Sequence, residues 1–226
     1  MSRVLPILFN TDMVRAIMDG RKTVTRRLIK LPKYIKLQDD GLYTLFADGT
    51  CYENQHMEEI VNYLKPQYQP GDILYIRETW CWCPCWDCGF DTYEHNCCHK
   101  TANKFFNHNK REYGCYGYKA SFDDNEYPSV DTWHPSIHMP KEAARIWLKV
   151  KDVRVERLQE ITIDGIRNEG LTSMAVHAGD MEIALSEWKN LWNSTIKKSD
   201  LDCYGWDANP WVWVIEFERC EKPEDI

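Results

Sequence analysis

The sequence predicts a strand-rich, mixed α+β fold: a closed or nearly closed β-barrel with helices at its rim. Three observations carry that expectation. Short alternating apolar segments outnumber amphipathic helical ones. The helices fall between them out of strand–helix–strand order, which argues against a parallel sheet. Turn chemistry stands directly before the alternating segments, as in "GRKTVTRR" (20–27) and "QPGDILY" (69–75).

Taken in order, "VLPILFNTDMVRAIMDGRK" reads as an extended segment followed by a short helix. Thr11 is its expected N-cap, Met13, Val14, Ile17 and Met18 its apolar stripe, and Gly20 its C-terminal glycine. "KTVTRRLI" alternates and is a strand, which puts Lys22 at a helix-to-strand junction. "PGDILYIRETW" is a turn and a strand, and the stretch ending in "YGYKASF" is another strand. "IWLKVKDVRVERL" alternates, but Ile146, Leu148 and Val150 share one face before Val153 and Val155 take over. That slip predicts a bulge or bend near Lys151–Asp152. "ITIDGIRNEGL" is a short helix capped by Thr162 and closed near Gly170. "DMEIALSEWKNLWNSTI" is an amphipathic helix that turns Ile183, Leu185, Trp188, Leu191 and Trp192 to the core. "PWVWVIEFER" is the last strand, with Trp211, Trp213, Ile215 and Phe217 on one face. No internal repeat is present. The chain is read as one domain, 1–226, with a compositionally distinct insertion at about 81–132, where Cys, His, Asn and Tyr crowd and periodicity fades.

The chain has 226 residues, 43% of them hydrophobic, enough for a real core. No run approaches the ~18–20 apolar residues of a membrane span. "MSRVLPILFNTD" lacks the apolar core and cleavage site of a signal peptide, so a cytoplasmic chain with no membrane partner is expected. In that compartment ten cysteines point to metal ligands or thiols before disulfides.

A formal net charge of -7 argues against a non-specific polyanion binder, and from Asp152 onward acids outnumber bases two to one. Yet Gly20 to Lys36 holds Arg21, Lys22, Arg26, Arg27, Lys30, Lys33 and Lys36 with no acid. So compact a basic block suits one focused anionic or polar ligand. Within it Gly20, Lys22, Thr25 and Arg27 form a G-x-K-x-x-T-x-R pattern. On a strand Thr23, Thr25 and Arg27 share one face, and Val24 and Arg26 take the other. A lysine beside a threonine hydroxyl can polarise or deprotonate it when burial or nearby cations lower the lysine pKa. The plain alternative is a solvated basic strand.

The pieces "IMDGRKTVTRR", "QPGDILYIRETW", "RVERLQEITIDGIRNEG" and "VWVIEFER", in that order, resemble the ASCH domain family, which has a PUA-like barrel. They run from near residue 5 to near 219, the insertion apart. "RETW" and "HPSIHMPKEAARI" are similar to the longer phage and prophage branch. The resemblance implies binding of RNA, a modified nucleobase or a nucleoside. It also implies hydrolysis of an acyl amide, since small bacterial members act on N4-acetylcytidine. Carried over by motif, the catalytic residues are Lys22, Thr25 and Glu169. Arg27 completes the turn motif, and in a hydrolase Arg27 or Arg26 would stabilise the oxyanion and both would bind substrate. This chain departs from the small enzymes in its length, about twice theirs, and in its "IRETW" and "TWHPSIHMPKEAARI" segments. Glu78 either lines the pocket or makes a rim salt bridge. Trp80 and Trp133 are candidate stacking platforms for a base, and His134 and His138 are either proton shuttles or structural.

The cluster "CWCPCWDCGFDTYEHNCCHK" is the second chemical signal. Cys85-x-x-Cys88 has the spacing with which two thiolates reach one tetrahedral ion, and Cys97 and Cys115 complete a candidate structural zinc site. Cys81, Cys83, Cys98, His95 and His99 compete for those places, and a set of thiols is the alternative. No organic cofactor is expected. Three functions stand side by side: an amidohydrolase on an acylated nucleoside, a non-catalytic reader of RNA or a modified base, and, more weakly, a ribonuclease. No signal for oligomeric state is found.

Overall fold

The structure is a computed structural model that describes residues 2–39, 41–84, 105–107, 112–122 and 132–224. In chain order it contains strand β1 (Val4–Leu8), helix α1 (Thr11–Met18), then strands β2 (Val24–Leu28), β3 (Ile35–Leu37), β4 (Tyr43–Ala47) and β5 (Thr50–Gln55). Helix α2 (Met57–Ile60) precedes β6 (Ile73–Arg77), β7 (Trp80–Pro84), β8 (Phe105–Asn107), β9 (Glu112–Tyr118) and the long β10 (Trp147–Arg157). Helices α3 (Ile163–Asn168), α4 (Met174–Ala178), α5 (Met181–Thr195) and α6 (Leu201–Tyr204) lead to β11 (Trp211–Cys220). The mixed, strand-rich class expected from the sequence is the one observed. Among the described residues no sheet closes on itself, so the barrel is not seen as a closed sheet. No described helix is long and apolar enough to cross a membrane.

The chain divides into two compact units. The first comprises Met1–Arg3, Arg21–Ile73 and Lys149–Glu218; the second comprises Val4–Gly20, Leu74–Leu148 and Arg219–Ile226. The expected insertion, 81–132, falls wholly within the second.

In the first unit β10, β11 and β2 lie side by side in that order. β11 pairs with β2 antiparallel, setting Val214 opposite Arg26, Trp213 opposite Arg27 and Ile215 opposite Thr25. Strand alternation then sorts the side chains into two layers. Val24, Val212 and Val214 pack on Ile166, Trp188 and Trp192 of the helices. On the other face Trp211, Trp213 and Val155 pack against a cluster built from Tyr43, Leu45, Met57 and Ile60. Both faces of β11 are therefore covered, not only the indole face. The second cluster rests on the antiparallel sheet β3-β4-β5.

"QPGD" forms a tight turn. Gly71 takes a φ of +89°, the conformation a glycine supplies without strain. Asp72 N donates to Gln69 O at 3.0 Å, and the Asp72 carboxylate accepts from Gln69 N at 2.7 Å. Arg3 adds two more bonds to that carboxylate, from Nε at 3.0 Å and Nη2 at 2.5 Å.

In the second unit β1 lies beside β6, and β7 and β8 flank β9. Arg15 of α1 donates to the carbonyls of Phe122 at 2.6 Å and Ala120 at 3.3 Å. Two local expectations are corrected. Asn10, not Thr11, caps α1, accepting from Met13 N at 2.8 Å. Ile183 of α5 is exposed, and Ala184 takes the core place beside Trp188 and Trp192. The phase slip expected in β10 is seen as two consecutive exposed residues, Lys151 and Asp152, within a strand that runs on to Arg157. Thr162 does cap α3, accepting from Gly165 N at 3.1 Å.

Candidate functional site

The entry to β2 is tied to the end of α3. Thr23 N donates to Asn168 O at 2.9 Å, Arg21 Nη1 donates to Gly170 O at 2.8 Å, and Lys22 and Glu169 form an isolated bridge. Gly170, with φ +97°, lets the chain leave the helix just after Glu169. Two residues 147 apart in sequence are thereby held side by side.

Their side chains meet in the interior, with Lys22 2% and Glu169 4% exposed. Lys22 Nζ donates to Glu169 Oε2 at 2.5 Å, Val24 O at 2.8 Å and Glu169 O at 3.0 Å. Three acceptors match the three hydrogens of an ammonium. Arg26 reaches the other oxygen of Glu169 at 3.2 Å and Glu156 Oε2 at 3.1 Å, with its guanidinium 6.0 Å from the Trp188 ring. Its Nε is buried and has no hydrogen-bond acceptor among the described residues. Burial pushes the Lys22 ammonium below the ordinary lysine range. The adjacent Glu169 carboxylate opposes that shift, and the Arg27 and Arg26 charges add to it. A carboxylate at a helix C-terminus opposes the helix dipole, so two cations compensate what the helix does not.

Thr25 is buried, and alternation puts it on the same face as Arg27, opposite the Arg26 side. Two cavities open on that face. One, of about 340 Å³, is walled by Met57, Val61, Val155, Trp211 and Trp213. The other, of about 180 Å³, is lined by Arg27, Lys30, Lys65, Gln67 and Tyr68. Val153 and Trp213 line both, so the two adjoin. Burial lowers the Arg27 guanidinium below its ordinary range and raises the Tyr68 phenol above its own. Trp211 is fixed from two sides: Nε1 donates to the Tyr43 hydroxyl at 2.8 Å, and the Arg157 guanidinium lies 4.2 Å from its ring.

The remaining expected residues lie in the second unit. Glu78 is 1% exposed and is held by a bidentate bridge from Arg145, at 2.8 Å and 2.9 Å. Arg145 also stacks 4.1 Å over Tyr118. Glu78 thus makes a salt bridge, with Arg145 as its partner. Trp80 stacks on His134 at 4.7 Å, and Trp133 meets Phe122 edge-on at 5.9 Å. His138 is exposed in a short 3-10 turn. Of the expected zinc ligands, Cys85, Cys88 and Cys97 lie outside the described residues. Cys115 sits opposite Cys83, and the described residues contain no group of three or more His, Cys, Asp or Glu side chains arranged to hold a metal.

The structure brings together Lys22, Glu169 and Arg26, and separately Arg27 with the smaller cavity. Glu156, Lys65, Tyr68 and Trp213 complete these groups without having been read as functional. Trp213 was assignable to a strand face, but nothing in its spacing separates a cavity wall from a core. Lys65 and Tyr68, in "KPQYQPGD", join Arg27 only through the fold.

No family model matches the chain, and no curated protein does. Among solved structures an ASCH domain from Lactobacillus crispatus JV V101 is similar, at 10% sequence identity and a TM-score of 0.35, over 96% of this chain and 79% of that one. Likeness at that level bears on neither the site nor its chemistry, which rest on this chain's own residues.

Proposed function

We propose that this chain binds a modified nucleobase or nucleoside, with the base laid against Trp213 beside Arg27. The observation that carries the reading is the 340 Å³ cavity with two indoles and aliphatic side chains in its wall, opening next to the Arg27 end of the turn motif. That volume lies at the lower end of the ~300–1,000 Å³ of small-molecule pockets. An aromatic wall suits a base, because each base has a π-face to stack. The test is a titration with N4-acetylcytidine, cytidine and uridine, followed by tryptophan fluorescence. Trp213→Ala should weaken binding by the ~1–3 kcal/mol of a base–aromatic stack. Unchanged affinity in that variant removes the reading.

A hydrolytic use of the turn motif is favoured by the buried Lys22–Glu169 pair, whose lysine stands three positions before Thr25 in the chain. In that reading the Thr25 hydroxyl attacks the acyl carbon and its proton passes to Lys22, which burial biases toward the neutral amine. The C–N bond then breaks, and the departing amine takes the proton. Water releases the acyl group from Thr25. Thr25→Val should lower turnover of N4-acetylcytidine at least ~100-fold, and Thr25→Ser should retain most of it. Product chromatography that finds equal turnover in Thr25→Val refutes the hydrolysis and leaves the binding reading intact.

A further inference from the structure

The smaller cavity has a composition that the larger one lacks. Arg27, Lys30 and Lys65 converge on about 180 Å³, Gln67 and Tyr68 supply polar edges, and none of the lining residues is acidic. In a chain of net charge -7, three cations around one cavity with no carboxylate in its wall is a local inversion of charge. Arg27 is the fixed member. It sits mid-strand opposite Trp213, and burial disfavours its charge while Tyr68 and Glu169 oppose that shift; a bound anion would add to them. Lys30 and Lys65 are exposed at the mouth, where long flexible stems can close on a ligand. A planar guanidinium with flanking ammoniums and a phenol is a donor set for a tetrahedral oxyanion. Trp213 and Val153 belong to both cavities, so an anion in the small one lies a short bridge from a ring in the large one.

We propose that the small cavity is a phosphate subsite, and that the ligand is a nucleotide, not a free base or nucleoside. The base occupies the indole side, the sugar crosses Trp213 and Val153, and the phosphate meets Arg27, Lys30 and Lys65. The inference rests on the base-binding reading above and deepens it.

The experiment compares N4-acetylcytidine with its 5′- and 3′-monophosphates by calorimetry on the full chain. One of the two phosphorylated forms should bind at least tenfold tighter than the nucleoside. The ratio should shrink as salt rises. In Lys30→Ala/Lys65→Ala, both exposed positions, the ratio should fall toward one. Inorganic phosphate should compete with the nucleotide and not with the nucleoside. A tetranucleotide carrying the same residue separates the two sources of that chemistry: tighter binding than the mononucleotide assigns the site to a strand, and equal or weaker binding assigns it to a free nucleotide. If nucleoside and nucleotides bind equally, the phosphate subsite is overturned while base binding stands. If phosphate binds but no nucleoside does, the base-binding reading fails instead. If nothing binds, both fail.

Discussion

Lys22 sits fully buried between Glu169 and two carbonyls, and its removal leaves the Glu169 carboxylate to Arg26. Breaking a buried pair at one end costs ~3–5 kcal/mol when the partner's charge is left uncompensated, and the remaining Arg26 contact puts the loss here at the lower end of that range. Lys22→Ala should therefore lower unfolding free energy by about that much in urea titration. Lys22→Met/Glu169→Leu should cost much less than two single changes added together, since both desolvation penalties leave with the charges. Equal additivity would show that the two groups do not depend on each other. Asp72 offers a pH test. Burial raises its pKa, but hydrogen bonds from Arg3 and Gln69 N and the Arg3 charge outweigh burial and hold it below its ordinary 3.8. A depressed carboxylate stabilises the fold above its unfolded pKa and loses that contribution as pH falls through the folded value. Asp72→Asn should thus cost on the order of 1.5–3 kcal/mol at pH 7, the range for hydrogen bonds to a charged group, and little once pH drops well below 3.8. A gap that persists in acid contradicts the assignment.

At the scale of elements, what was legible followed from contrast between faces. β11 could be read because its aromatic and β-branched residues run unbroken from Trp211 to Ile215, and α3 because Thr162 and Gly170 punctuate it. Thr162→Ala should lower stability by ~1 kcal/mol, the usual worth of an N-cap. β5, "TCYENQ", could not be read, because it is exposed along nearly its whole length and carries no alternation to detect. The α1 cap was misplaced by one residue because Asn10 and Thr11 are both good caps, and only the fold chooses. Of the site, the Lys22–Glu169 pairing could be anticipated from motif order. The cavity side of Trp213 and the contribution of Lys65 required the tertiary structure. In the second unit Gly117 lies opposite Cys81, and an added Cβ there would stand 2.6 Å from Cys81 Sγ and 2.9 Å from Cys83 Sγ. Gly117→Ala should cost ~1–3 kcal/mol by overpacking, and Cys81→Ala should recover part of it. No recovery in that double variant would place the strain elsewhere.

For the molecule as a whole, thiol chemistry gives an independent reading of the architecture. Cys51 and Cys203 are exposed, whereas Cys81 is fully buried and burial pushes its thiol up to about 12. Alkylation at neutral pH followed by peptide mapping should modify Cys51 and Cys203 before Cys81, which should react only when the chain opens. Early modification of Cys81 would contradict its place in the β7–β9 sheet. The pairing of β11 with β2 has a consequence in time. One strand ends at Leu28 and its partner begins at Trp211, so the sheet that carries Arg27 and Trp213 lacks a member until the roughly 180 residues between them have been made. At ~5–20 residues per second on the ribosome, the gap lasts roughly ten to forty seconds. Throughout that interval β2 is a finished but unpaired edge, open to chaperones or to a neighbouring nascent chain. Moving the chain ends by circular permutation, so that β11 is synthesised just before β2, would shorten that wait and should raise the yield of folded protein at high expression.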